Sequence, residues 1–185
     1  MNKKTFFFIV SLVILGYFIY THLPRNSSQP ATKNTPVITQ EVKVVQIGVR
    51  TKIIGCQANG PIQDLACTPG AVNPDLTKDV ICSPSFTTKT VRSVPTEEKK
   101  QVYDEYGIAS HTKGEYEVDH LISLELGGAN DIANLWPEQA DPRPGFHEKD
   151  TVENYLHRQV CSGAISLQDA QKEVANNWIQ VYQSM

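Results

Sequence analysis

Two short apolar runs set close together constrain this chain most. Tyr116–Ile122 reads as a strand, and Asn134–Trp136 reads as its short partner. Leu126-Gly127-Gly128-Ala129-Asn130-Asp131 forms the loop between them. Helical patterns flank this pair. Glu97–Tyr106 follows Thr96 as a capping residue, carries Glu97 and Glu98 in its first turn and is closed by Gly107. A second helix is expected from Phe146 or His147 to Val160, with Val152, Tyr155, Leu156 and Val160 on one face and Ser162-Gly163 as its stop. Ser166 with Asp169 is a capping pattern for a last helix, whose inward stripe is Leu167, Ala170, Val174, Trp178 and Val181. The class is α+β. Upstream, Glu41–Ile54 is rich in Val and Ile and favours strand, Gly55–Thr77 is loop, and Asp79–Cys82 is a short extended piece.

The N-terminal end differs from the rest. Lys3-Lys4 precedes an apolar stretch from Phe6 that reaches Leu23, so residues 1–24 read as a signal peptide or a membrane anchor. With the lysines held inside, the body lies outside the cytoplasm, in the cell envelope or secreted. Residues 25–36, rich in Ser, Asn, Thr, Gln and Pro, form a flexible linker. Residues 37–95 form a Cys-containing extension, and residues 96–185 the main domain. Cys56, Cys67, Cys82 and Cys161 are an even set in the exported part, which points to two disulfides. Three pairings exist. The preferred one joins Cys56 to Cys67 across a Gly/Pro-rich loop and Cys82 to Cys161 on a late helix. A four-cysteine zinc site lacks the Cys-x-x-Cys spacing it would need.

The net charge is −3, and without residues 1–24, which hold two lysines and no acid, it is about −5. That excludes a protein that grips long nucleic acid by bulk charge. Local cations would have to serve instead. Arg143, Lys149 and Arg158 form one such set, and Lys89, Arg92, Lys99 and Lys100 another. No phosphate-binding glycine loop, Gly-x-Ser-x-Gly or His-Glu-x-x-His motif is present.

Asp119-His120 is the candidate chemical pair. A neutral imidazole can take a proton from water near neutral pH. An aspartate oxygen is a hard donor suited to a divalent cation. Asn134, across the glycine loop, can both donate and accept. His147 lies thirteen residues further on, at the start of the expected helix. Asp150, Asn154 and His157 on the same helix are its alternatives. An Asp-His dipeptide alone is a common local hydrogen-bonding pair, and the helix residues alone form an ordinary solvated face.

The set Glu117–Ile122, Leu124–Gly128, Asn134–Glu138, Lys149-Asp150, and Leu156-His157 with Val160-Cys161 resembles a group of bacterial exported proteins of the HNH endonuclease family. The likeness covers about 75 residues (on the order of one small domain) plus Cys67–Ala71. The resemblance implies a ββα-metal finger with flanking helices and a disulfide-linked N-terminal extension. It implies His120 as general base, Asn134 as a mainly structural residue whose amide ties the loop and keeps that base oriented, and Asp119 and His147 as ligands of one divalent ion, Mg first, Mn or Zn otherwise. The implied activity is metal-dependent hydrolysis of nucleic-acid phosphodiesters with low sequence specificity, DNA before RNA. The rival is a non-catalytic, disulfide-stabilised surface module on the same scaffold.

Overall fold

The structure, a computed structural model, describes residues 47–185. The expected anchor, the linker and the start of the extension up to residue 46 lie outside the described residues. The described chain belongs to one compact unit spanning Val42–Met185.

Its class is mixed α/β with a small two-stranded sheet. Strand β1 (Tyr116–His120) pairs antiparallel with β2 (Leu135–Gln139), with Asp119 opposite Trp136 and His120 opposite Leu135. Two bonds extend the ladder, Leu121 N–H to Asn134 C=O at 2.8 Å and Ala140 N–H to Glu115 C=O at 2.9 Å. The connection folds into two short 3-10 turns, Leu124–Leu126 and Ile132–Asn134. Glycine is required within it. A Cβ on Gly128 would lie 1.8 Å from Ile122 O, far inside van der Waals contact.

Four α-helices, α1 (Lys78–Ile81), α2 (Thr96–Glu105), α3 (Phe146–Ser162) and α4 (Leu167–Ser184), and a 3-10 turn at Thr88–Thr90 complete the described elements. Thr96 is the first helical residue of α2 rather than its cap. Pro95 stands at that position, and its carbonyl accepts from Lys99 N–H. Ser166 Oγ accepts from Asp169 N–H at 3.1 Å and so caps α4 as expected. Gly145 starts α3, where Gln139 O lies 2.3 Å from any Cβ it could carry, and its N–H donates to Glu148 Oε2. The turn before it contains two cis prolyl bonds, at Pro142 and Pro144.

Two expectations are corrected. Residues 47–54, the described part of the Glu41–Ile54 run, form no strand. Their backbone is used irregularly, with Gly48 N–H on Gly70 O and both Thr51 and Lys52 N–H on Ala66 O. A single carbonyl taking two successive amides cannot build a ladder. Asp79–Ile81 is helical rather than extended, because Val80 and Ile81 N–H both donate to Thr77 O and Ile81 turns into the core.

The core lies between the hairpin, its loop and the α3–α4 pair. Leu121, Ile122, Leu126, Trp136, Val152, Leu156, Val160, Val174 and Trp178 are fully buried there. Each such aliphatic side chain contributes about 1.5–3 kcal/mol by leaving water. Disulfides join Cys56 to Cys67 and Cys82 to Cys161. The first loop is held to α2 by Cys56 N–H on Glu105 O at 2.9 Å, with Arg50 bridging Cys67 O and the Glu105 carboxylate, and the second bond fastens the end of α1 to α3.

Candidate functional site

His120 ends β1, and its ring is buried. Nε2 lies 3.0 Å from Asn130 Oδ1, in the loop between the strands. Nδ1 has no partner among the described residues and is shut from solvent. Burial pushes the imidazole below its usual range, which the Asp119 charge and the Asn130 bond only partly offset. A neutral ring with an unpaired nitrogen is a competent base.

Asp119, on the other face of the strand, reaches α3. Its Oδ2 is 2.5 Å from Lys149 Nζ. Lys149 also donates to His120 O at 2.8 Å and to Glu153, and stands 3.9 Å from the buried Glu138 carboxylate. This lysine is wholly buried, so it is not the phosphate contact that the sequence offered with Arg143 and Arg158. Burial opposes charge on all four groups, but Lys149 holds Asp119 below the usual carboxylate range. Its own ammonium is held well above the lysine range by the three acids. One cation cannot ionise three buried carboxylates. Burial and the Asp119 charge push Glu153 up to about 8, and Glu138 also rises well above its ordinary value.

The sequence did carry a signal for Lys149. It precedes Val152, Leu156 and Val160 by three, seven and eleven positions, so it falls on the buried stripe of α3. A lysine there has to find internal anions.

Asn134 is completely buried. Its Oδ1 accepts from Ile122 N–H at 2.9 Å and Ala71 N–H at 3.4 Å. Its Nδ2 donates to Ile122 O at 2.9 Å and Ala129 O at 2.8 Å. The amide locks the two ends of the inter-strand loop, and its backbone carbonyl holds Leu121. It makes no side-chain bond to His120.

His147 is exposed on the first turn of α3, its ring against Phe146 with centroids 4.3 Å apart. Among the described residues no hydrogen bond or ion pair joins it to Asp119 or His120. Of its alternatives, Asn154 is exposed and donates to Asp150 O. His157 lies at the other end of α3, where Nε2 is 3.1 Å from Ile81 O. Asp150 is electrostatically closer to the pair. Burial and then the Asp119 charge raise its carboxyl, and burial, Asp119 and Asp150 together raise Glu117. Glu117 and Asp150 are thus coupled to Asp119 through charge, although among the described residues the three do not bring carboxylate oxygens within 4.8 Å of one another. Arg92, exposed and without an ion pair among the described residues, bears on His120, Glu117 and Asp150. The Arg143 pair with Glu148 at 3.3 Å is exposed and contributes little.

Among the described residues, one group of three metal-type ligands lies within 4.8 Å of one another: Cys82, His157 and Cys161. This group could hold a metal ion, but only as free thiolates, and the disulfide uses both sulfurs. No helix of the described residues is long and apolar enough to cross a membrane. No family model, curated protein or solved structure matches this chain.

Proposed function

We propose that this chain is a metal-dependent endonuclease that hydrolyses nucleic-acid phosphodiesters, DNA first, with low sequence specificity, and that β1, β2 and α3 form its ββα (HNH-type) finger. One observation carries the proposal. A buried, neutral imidazole is tethered through Nε2 and keeps Nδ1 unpaired among the described residues, while the adjacent aspartate, on the other face of the strand, faces other carboxylates.

His120 Nδ1 takes the proton of an incoming water as the new P–O bond forms and the sugar oxygen departs. Reaching that nitrogen requires the loop to yield slightly, since the atom is covered. Asn134 holds the loop around the base. Asp119 would supply an anionic oxygen to a cation, with Asp150 or His147 from α3 and Glu117 as further donors. Mutual repulsion among Glu117, Asp119 and Asp150 fits a divalent cation, which would relieve it. When bound, that ion would neutralise charge on the phosphate and on the leaving oxygen. Arg92, without an ion pair among the described residues, is a cation that would meet a phosphate despite the acidic balance. Two disulfides support work outside the cytoplasm, with the N-terminal segment as signal or anchor.

The second reading is a non-catalytic binding module. Lys149 favours it, because an internal ammonium already occupies one Asp119 oxygen.

The test is plasmid nicking by oxidised protein with Mg²⁺, Mn²⁺, Zn²⁺ or EDTA, beside His120→Ala. Loss of a positioned general base is expected to lower the rate by about 10²–10⁴-fold. Folded protein that cuts neither DNA nor RNA under any metal would leave the binding module standing.

A further inference from the structure

Asn130 lies in the inter-strand loop, half-buried, and its side chain makes three polar contacts. Nδ2 donates to Val91 O at 2.8 Å. Oδ1 accepts from Ser93 N–H at 3.1 Å. The same Oδ1 faces His120 Nε2 at 3.0 Å. The two backbone partners fix which end of the amide is which. An NH₂ group cannot accept from Ser93 N–H, and an amide oxygen cannot donate to Val91 O. An acceptor therefore faces the imidazole, and Nε2 must carry the hydrogen. In a neutral ring the lone pair then falls on Nδ1, the atom without a partner.

We propose that Asn130 is the positioning residue of this site, fixing both the plane and the Nε2–H form of His120 so that Nδ1 is the basic atom. The inference rests on the nuclease reading only for what the base does, not for how it is held. Asn134, expected to tie the loop and so keep His120 oriented, ties the loop backbone and makes no side-chain bond to His120 among the described residues. The tether has a second end. By gripping residues 91 and 93, Asn130 also fixes the backbone on either side of Arg92, so base and free guanidinium are referenced to one amide.

The experiment is ¹⁵N-imidazole NMR of the oxidised protein, with nuclease kinetics alongside. The wild type is expected to show a slowly exchanging Nε2–H for His120 and an unprotonated Nδ1 at neutral pH. Asn130→Ala is expected to lose that slow exchange, and kcat should fall at least tenfold while KM changes less than threefold. Asn130→Asp keeps an acceptor toward His120 and is expected to retain the Nε2–H resonance. A proton on Nδ1 in the wild type would overturn the proposal with no variant needed. So would an unchanged resonance in a folded Asn130→Ala. If the wild type cleaves nothing, the nuclease reading fails, and the resonances still decide the role of Asn130.

Discussion

Lys149 meets Asp119 across thirty positions of sequence, with Nζ 2.5 Å from Oδ2, and this buried pair fastens α3 to β1. The lysine completes the junction by taking the carbonyl of His120, so helix, strand and candidate base share one ammonium.

Removing that ammonium should be costly. Lys149→Met leaves the Asp119 carboxylate without its counter-charge and Glu138 and Glu153 without their cationic partner, and is expected to lower stability by about 3–5 kcal/mol. Urea unfolding measures it. Adding Glu153→Leu should restore part of the loss, since a buried carboxylate leaves with its partner. A single-variant loss below about 1 kcal/mol would mean that the cluster is solvated.

Glu153 gives the junction a pH signature. Its carboxyl is raised from 4.5 to about 8 by burial and by Asp119. Between those values the folded chain holds a proton that the unfolded chain has released, so stability from this group falls as pH rises through the window. Glu138 acts with the same sign. His120, buried and lowered, acts with the opposite sign below its ordinary 6.5, and Asp119 does so only in stronger acid, below 3.8. Comparing Glu153→Gln with the wild type isolates the first effect. Thermal melts from pH 5 to 8 should decline less steeply in the variant, and parallel curves would refute the assignment.

Asn134→Ala removes four bonds from a sealed site and strands two backbone N–H groups and two carbonyls. A loss of about 2–4 kcal/mol is expected. Asn134→Asp should not rescue, because a carboxylate would face the carbonyls of Ile122 and Ala129. Equilibrium unfolding of both variants checks this, and stability close to wild type in either would show that water substitutes there.

The two disulfides should differ in weight. Cys82–Cys161 spans 79 positions and Cys56–Cys67 spans 11, which on chain entropy alone gives about 4.5 and about 2.8 kcal/mol. Paired Cys→Ser variants, compared by denaturant midpoint, should rank in that order.

Much of the fold was legible because it follows periodicity. The α4 stripe of Ala170, Val174, Trp178 and Val181 is buried as its spacing predicts, though Leu167 is only half-buried. Helix α3 begins at Phe146, and β1 begins at Tyr116, as their patterns indicate. The preferred cysteine pairing is the observed one. What failed was decided by long-range partners. Val and Ile in 47–54 favour extended chain, but among the described residues no neighbouring strand receives them. Asp79–Ile81 became helical through the Thr77 carbonyl, a local bond that residue preference does not reveal. At the site, Asp119-His120 stood out as a dipeptide, whereas Asn130 looked like one more loop asparagine. Its importance comes from Val91 and Ser93, thirty-nine and thirty-seven positions away.

The bond between Cys82 and Cys161 turns the intervening chain into a covalent ring, and Asp119, His120, Asn130, Asn134 and Lys149 all lie on it. A protease that cuts this ring once produces two polypeptides still joined as one molecule. The buried Lys149 cluster and the Asn134 lock can then hold the severed ends in register. A single cleavage in an exposed turn therefore need not end the life of the site, while the same cut after reduction lets the halves drift apart. Survival under proteolysis becomes a property of the surrounding redox potential as much as of the packing.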